Sequence, residues 1–190
     1  TKGNVQANVI LNSQVSADQE VTLTGKKGLI AGGSVHGMLG ISCITAGNMS
    51  EIRTGLHVGL KQETMEQRID VNERYSKVNQ ELEDTVASMA KIMRVRQQSG
   101  ELSEPLQKHL VELKRRKDEI YTRCMEIKKE ANAMESMVLA AREAKIRVEG
   151  NIYHGVVISI DNHDMVINRD TSFMEYQCQN GIITGTVVVV

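Results

Sequence analysis

Three histidines occupy surroundings in which an imidazole could act as a general base. His36, His57 and His154 lie in or beside short β-branched, glycine-punctuated runs, "SVHGML", "GLHVGL" and "NIYHGVV". A neutral imidazole takes a proton near pH 7 when a second group orients it against a nucleophile. No such trio of nucleophile, base and orienter is legible around any of the three, and an imidazole without a partner reads as a solvent-exposed side chain. "DNHDM", with Asp161, His163 and Asp164, offers three metal-ligand types. Three ligands so close in one stretch seldom converge without a fourth from elsewhere, so this reads as a polar turn. "GKKGLIAGGSVHG", residues 25 to 37, carries five glycines together with Lys26, Lys27 and His36. A glycine-rich turn can cradle a phosphate, but Gly25-Lys26 is followed by Lys27 where a P-loop needs Ser or Thr, and no GxGxxG is present. Cys43, Cys124 and Cys178 form no CxxC pair. They read as small core residues in a reducing compartment, with no disulfide scaffold or zinc site. No catalytic, cofactor-binding or metal-binding residue is assigned.

The elements that would position these groups follow from two periods. Written in sixes from Val5, the chain puts Val5, Leu11, Ala17, Leu23, Leu29, Val35 and Ile41 in one column. The third column is mostly small: Ala7, Ser13, Gly25, Ala31, Gly37 and Cys43. Hexad spacing of this kind marks a parallel β-helix, a solenoid in which three short strands complete a rung. Gly25, Gly28, Gly32, Gly33 and Gly37 then fall at turns or inward corners, where a Cβ is costly, and Lys26 and Lys27 point outward as candidate partner contacts. The six-residue period returns after Ala144 with Ile146, Ile152 and Ile158, punctuated by Gly150 and Gly155.

Between these stretches the period changes to that of a helix. Residues 62–98 contain no Gly or Pro and carry Val71, Tyr75, Val78, Leu82, Met89 and Ile92 at steps of three, four or seven. "QQSGELSEP" interrupts, and Ser103-Glu104-Pro105 is a helix start. From there Leu106, Leu110, Leu113, Lys117, Ile120, Cys124, Ile127, Ala131, Met134, Val138 and Ala141 recur at alternating steps of four and three, a heptad seam. Two such helices joined by a short loop predict an antiparallel coiled-coil hairpin. Lys117 in the seam would snorkel outward or fix register. The expected organisation is β-helix over 1–61, coiled-coil hairpin insertion over 62–146 and β-helix again over 147–190. Gly100 and Glu101 stand at the hairpin tip as candidate partner contacts.

Composition bounds the function classes. In 190 residues the net charge is −1, and hydrophobic residues make up 41% but aromatic ones only 3%, with no Trp. Near-neutrality gives no global argument for nucleic acid or an anionic membrane. Aromatic poverty fits a repetitive architecture with thin, uniform layers. No integral membrane segment or signal-peptide core is legible, so a cytoplasmic protein is expected. The opening TKGNV and the closing VVVV look like the ends of an excised fragment.

"GKKGLIAGGSVHG", then "ITAGN", then "TGLHVGL" running into the helices, and "KIRVEGNIYHGVVISI" beyond them, resemble the bacterial flagellar assembly protein A (FapA) family over nearly the whole chain. The resemblance implies a cytoplasmic parallel β-helix, right-handed, interrupted by a coiled-coil hairpin, with a role in flagellar assembly or its regulation; many members have no established activity. It carries over no catalytic residue. The expectation is a non-enzymatic scaffold needing no cofactor, with the β-helix as a docking surface and the hairpin as a spacer or partner hook. Its partners are other proteins, such as flagellar or polar regulatory components, or a further copy of itself. Two alternatives stand beside it. One is a hexapeptide-repeat acyltransferase using His36, His57 or His154. The other is a bactofilin-like polymer stacking through the β-helix ends, favoured by an apolar last rung ending in VVVV.

Overall fold

The computed structural model describes residues 1–188. Its strands are β1 (Val5–Ala7), β2 (Val9–Ala17), β3 (Glu20–Leu23), β4 (Leu29–Gly37), β5 (Gly40–Cys43), β6 (Thr45–Ala46) and β7 (Thr54–Val58). Helices α1 (Gln62–Ser99) and α2 (Glu104–Ala141) follow. The chain then forms β8 (Lys145–Ile152), β9 (Val157–Ile160), β10 (His163–Val166), β11 (Thr171–Gln179) and β12 (Ile182–Val187). Two compact units result: Thr1–Lys61 with Met137 onward, and Gln62–Ser136.

The first unit is a β-solenoid. Parallel pairing joins β1 to β3, β3 to β5 and β5 to the first half of β8. A second ladder joins the first half of β2 to β4, then β6, then Ile152, and a third joins the second halves of β2 and β4 to β7 and β9. Register stacks like on like. Val5, Val21, Ile41 and Ile146 form one inward column. Ile10, Ile30, Ala46 and Ile152 form the second, and Val15, Val35, Leu56 and Ile158 the third. Apart from half-buried Val5 and Val15, every one of these side chains is buried. Uniform layers of Val, Ile, Leu and Ala fill the narrow interior without rings, which accounts for the aromatic poverty.

The repeat is less regular than strict sixes. Along the chain these inward residues are five or six apart, except at Val21 to Ile30 and Ala46 to Leu56, where longer corners intervene, and at Leu56 to Ile146, where the helices do. Val15 therefore pairs with Val35, twenty residues on rather than eighteen. Leu11 accordingly points outward at 53% exposure and Leu29 is only half-buried, while Ile10 and Ile30 take the interior. The bend between the halves of β2 and β4 is responsible. Asn12 (φ +48°), Gly32 (φ +78°) and Gly33 (φ +82°) are left-handed there, which turns the strand through a corner and resets which side chains face inward. Gly25, Gly28 and Gly155 are also left-handed, whereas Gly37 and Gly150 are not. At Gly37 a Cβ would lie 2.3 Å from the Gly40 carbonyl oxygen, and at Gly150 2.6 Å from that of Ile44, so close backbone approach is the constraint at both.

Residues after Ile160 do not go on coiling. β10 turns back antiparallel on β9, β11 runs antiparallel along β8, and β12 runs antiparallel on β11. Tyr176 of β11 lies opposite Ile146 and is buried. The sequence expected a last rung ending in VVVV. Val187 closes antiparallel β12 at 71% exposure, and Val189 and Val190 lie outside the described residues.

In the second unit no residue of the α2 seam between Leu106 and Met134 is fully exposed. The α1 seam is Thr64, Arg68, Val71, Tyr75, Val78, Leu82, Thr85, Met89 and Ile92, none fully exposed. Thr85, buried at 6%, fills the step of seven that the apolar pattern leaves open, its hydroxyl donating to the Glu81 carbonyl at 2.8 Å. Lys117 turns outward to Asp118 at 3.1 Å. The helices run antiparallel, joined by Arg68–Glu135 at 2.9 Å, Arg74–Glu130 at 3.2 Å, Arg116–Glu81 at 2.9 Å and Arg123–Glu81. Among the described residues no helix is long and apolar enough to cross a membrane.

The corner contact at Gly33 is testable. A Cβ there would lie 2.1 Å from the Ser13 carbonyl oxygen, whereas Gly155 (φ +84°) faces open space. Gly33→Ala should cost roughly 3 kcal/mol or more in urea unfolding, and Gly155→Ala about 1 kcal/mol, the left-handed conformation alone. Equal losses would show that the close approach to Ser13 is not limiting.

Candidate functional site

The histidines divide into two environments. His36 and His57 are in register on β4 and β7, with Ser16 and Ser159 on the flanking strands, so Ser-His-His-Ser runs across the third ladder. Both imidazoles are half-buried, and burial lowers their pKa values, which holds them neutral at pH 7. His36 Nε2 lies 3.1 Å from the Gly59 carbonyl oxygen, an interaction that places the ring proton on Nε2. Its Nδ1 is buried without a hydrogen-bond partner among the described residues. Ser159, the hydroxyl in register with His57, donates instead to the Asp164 carboxylate across β9 and β10. Ser159 is thus engaged by a carboxylate and not by the imidazole in register with it.

His154 is tied elsewhere. It lies in the turn between β8 and β9, with Nδ1 2.6 Å from Asp170 Oδ1 and Nε2 2.9 Å from Glu51 Oε1. Its backbone N–H also donates to Asp170 Oδ1 at 2.8 Å. The Asp170 and Glu51 side chains raise the imidazole pKa, favouring the imidazolium. Asp170 is lowered by the His154 backbone N–H and then by its ring. An imidazole held through both nitrogens is a poor general base; what it does is join three loops of the solenoid.

The remaining sequence candidates resolve into turns. Asp161 (φ +48°) and Asn162 (φ +63°) are consecutive left-handed residues between paired Ile160 and His163, a two-residue hairpin of the I′ kind. His163 Nδ1 is 2.9 Å from the Asp161 carbonyl oxygen, and Asp164 is engaged by Ser159, so these groups face separate partners. Among the described residues no cluster of His, Cys, Asp and Glu is arranged to hold a metal ion. Lys26 and Lys27 are exposed in the turn between β3 and β4. Gly100 (φ +78°) ends α1, its N–H donating to the Arg96 carbonyl at 3.0 Å, and Glu101 beside it is exposed. Cys43 is buried, which pushes its thiol up to about 12.

One built surface escaped the sequence reading. On the outside of the first ladder Thr22, Ser42, Arg147 and Glu175 stand in register across four strands. With Glu20, Glu143 and Lys145 they line a groove of about 210 Å³. Lys145 pairs with Glu175 at 3.3 Å. Arg147 Nε is 3.1 Å from Glu149 Oε1 but buried without hydrogen-bond alignment. Two hydroxyls, a guanidinium and flanking carboxylates present both signs of charge, suited to a polar protein surface. Its only trace in the sequence is alternation within each strand; the alignment across strands depends on coil length.

Comparison with known proteins gives a match over residues 1–183 to a family model described as "Flagellar Assembly Protein A beta solenoid domain". No curated protein matches, and no solved structure matches.

The His154 tie gives a pH prediction. Its folded pKa is raised, so its stabilisation is fully present below the unfolded value of about 6.5 and fades as pH rises through the higher folded value. Asp170 is lowered, so its share is present above about 3.9 and fades as pH falls through the folded value. His154→Ala should therefore lower the unfolding midpoint most near pH 5 to 6 and progressively less above about pH 7. A stability difference that is flat from pH 5 to 9 would rule out the charged tie.

Proposed function

We propose that this chain, which belongs to the Flagellar Assembly Protein A β-solenoid family, is a non-enzymatic cytoplasmic scaffold that docks other proteins during flagellar assembly or its regulation. The solenoid, right-handed in this reading, is the docking surface. The two helices form an antiparallel coiled-coil hairpin that serves as spacer or partner hook.

The observation that carries the reading is the in-register outer ladder Thr22–Ser42–Arg147–Glu175 and its groove. A guanidinium that makes no hydrogen bond among the described residues, aligned with two hydroxyls, offers its donors to a partner's carboxylate or backbone carbonyl. The engagement of the histidines supports the non-enzymatic side. Among the described residues no carboxylate is hydrogen-bonded to His36 or His57, and His154 is clamped at both nitrogens. The twenty-residue offset between stacked strands also departs from the eighteen of a strict hexapeptide coil.

In the source bacterium, Arg147→Ala should reduce swimming in soft agar and flagellar number while leaving protein abundance and unfolding midpoint within error of wild type. Unchanged swimming would remove the groove from the function. Calorimetry with acetyl-coenzyme A should give no binding heat. Micromolar binding, abolished by His57→Ala, would instead establish the acyltransferase reading.

A further inference from the structure

The two sides of the helix pair differ in chemistry. Apart from Arg68, in the seam, and its partner Glu135, which follows a seam position, the interhelical ion pairs fall on residues that precede a seam position by one: Arg74, Glu81, Arg116, Arg123 and Glu130. Residues that follow a seam position by one carry the exposed apolar groups. These are Ile69, Val86 and Met93 on α1 and Val111, Tyr121 and Met125 on α2. One residue is a rotation of about 100°, so the two sets lie to opposite sides of the seam, and in an antiparallel pair the matching sides of both helices coincide. One face of the pair is thus lined by charge. The other exposes Ile69 at 60%, Val111 at 67% and Tyr121 at 53%.

We propose that this apolar face binds the same face of a second copy of the chain, giving a four-helix dimer whose two-fold axis runs along the helices. The charges on the face select that occupant and that axis. Lys114 and Lys128 of α2 follow seam positions and make no ion pair among the described residues, while Glu83 of α1 accepts only from Asn79 at 2.8 Å. The Arg74–Glu130 and Glu81–Arg123 pairs set the levels, so Glu83 is level with Tyr121, midway between Lys114 and Lys128. An axis along the helices lays α1 of one copy on α2 of the other at equal height. Glu83 then meets the Tyr121 hydroxyl between two lysines, and Val86 and Met93 meet Tyr121 and Val111. An axis across the helices would place Lys114 of one copy against Lys128 of the other, like charge on like. From Met65 to Met93 the face is about 42 Å long, and two helices make it about 20 Å wide. That is roughly 800 Å² per copy, the size of a stable interface. The proposal stands independently of what docks on the solenoid.

Sedimentation velocity of the full chain over a wide concentration range tests it. Wild type should be a dimer, and Val111→Glu with Tyr121→Glu should raise the dimer Kd at least tenfold with unchanged helical circular dichroism. Lys114→Glu with Lys128→Glu, at exposed positions that leave the fold alone, should weaken self-association likewise. Mixed with Glu83→Lys protein, it should recover a heterodimer. A monomer at every concentration overturns the proposal, as does a dimer that these variants leave unchanged, or charge variants that fail to combine.

Discussion

Stacking of β-branched and aliphatic side chains in three inward columns is the constraint on which the rest of the solenoid depends. Ile30, Leu56, Ile146, Ile152 and Ile158 have no measurable exposure, and each lies over its counterpart on the neighbouring strand. Burying one such side chain is worth about 2 kcal/mol, and a gap in the stack would leave its neighbours without contacts. The columns fix where corners must fall. A corner that has to reverse direction in one or two residues forces the backbone into left-handed conformations, and that places Asn12 over Gly32 and Ser13 over Gly33. The glycines look like a ligand loop in isolation because the same conformational freedom serves both purposes.

The interior also absorbs a long interruption without losing register. Leu56 and Ile146 are successive inward residues of the coil although both helices lie between them. A solenoid tolerates this because each strand contacts only its neighbours in the stack, so an insertion at a corner disturbs no column. The helix pair has its own logic, with an apolar seam crossed by polar positions at Thr64, Arg68, Thr85 and Lys117. Such positions weaken the seam but penalise other registers, since a one-heptad slip would set these groups against different partners. At the far end the antiparallel strands change the solenoid's chemistry. β11 covers β8 with Tyr176, one of the few rings in the chain, and β10 brings Asp164 to Ser159. Strands laid across a stack in this way occupy an edge that would otherwise offer free backbone groups to another chain.

Much of this was legible in the residues. The strand content, the near-hexad period, the break at Lys61, the helix start at Ser103 and the α2 seam are local patterns, set by pleat alternation and the 3.6-residue turn. Family membership was readable from the order of those patterns. Legibility ended wherever the deciding neighbour lies far along the chain. Leu11 and Ile10 are adjacent apolar residues, and only the coil length decides that Ile10 goes in and Leu11 out. Thr85 hid in the seam because a threonine carries no apolar signal. Glu51, His154 and Asp170 meet from three separate loops, and Thr22, Ser42, Arg147 and Glu175 align only after four strands stack. Sequence by itself therefore determined the kinds of element and their order, because those depend on residues within a turn or a strand of one another. Tertiary structure alone decided which corners lengthen, which strands turn back, and which side chains become partners, because those depend on contacts across coils.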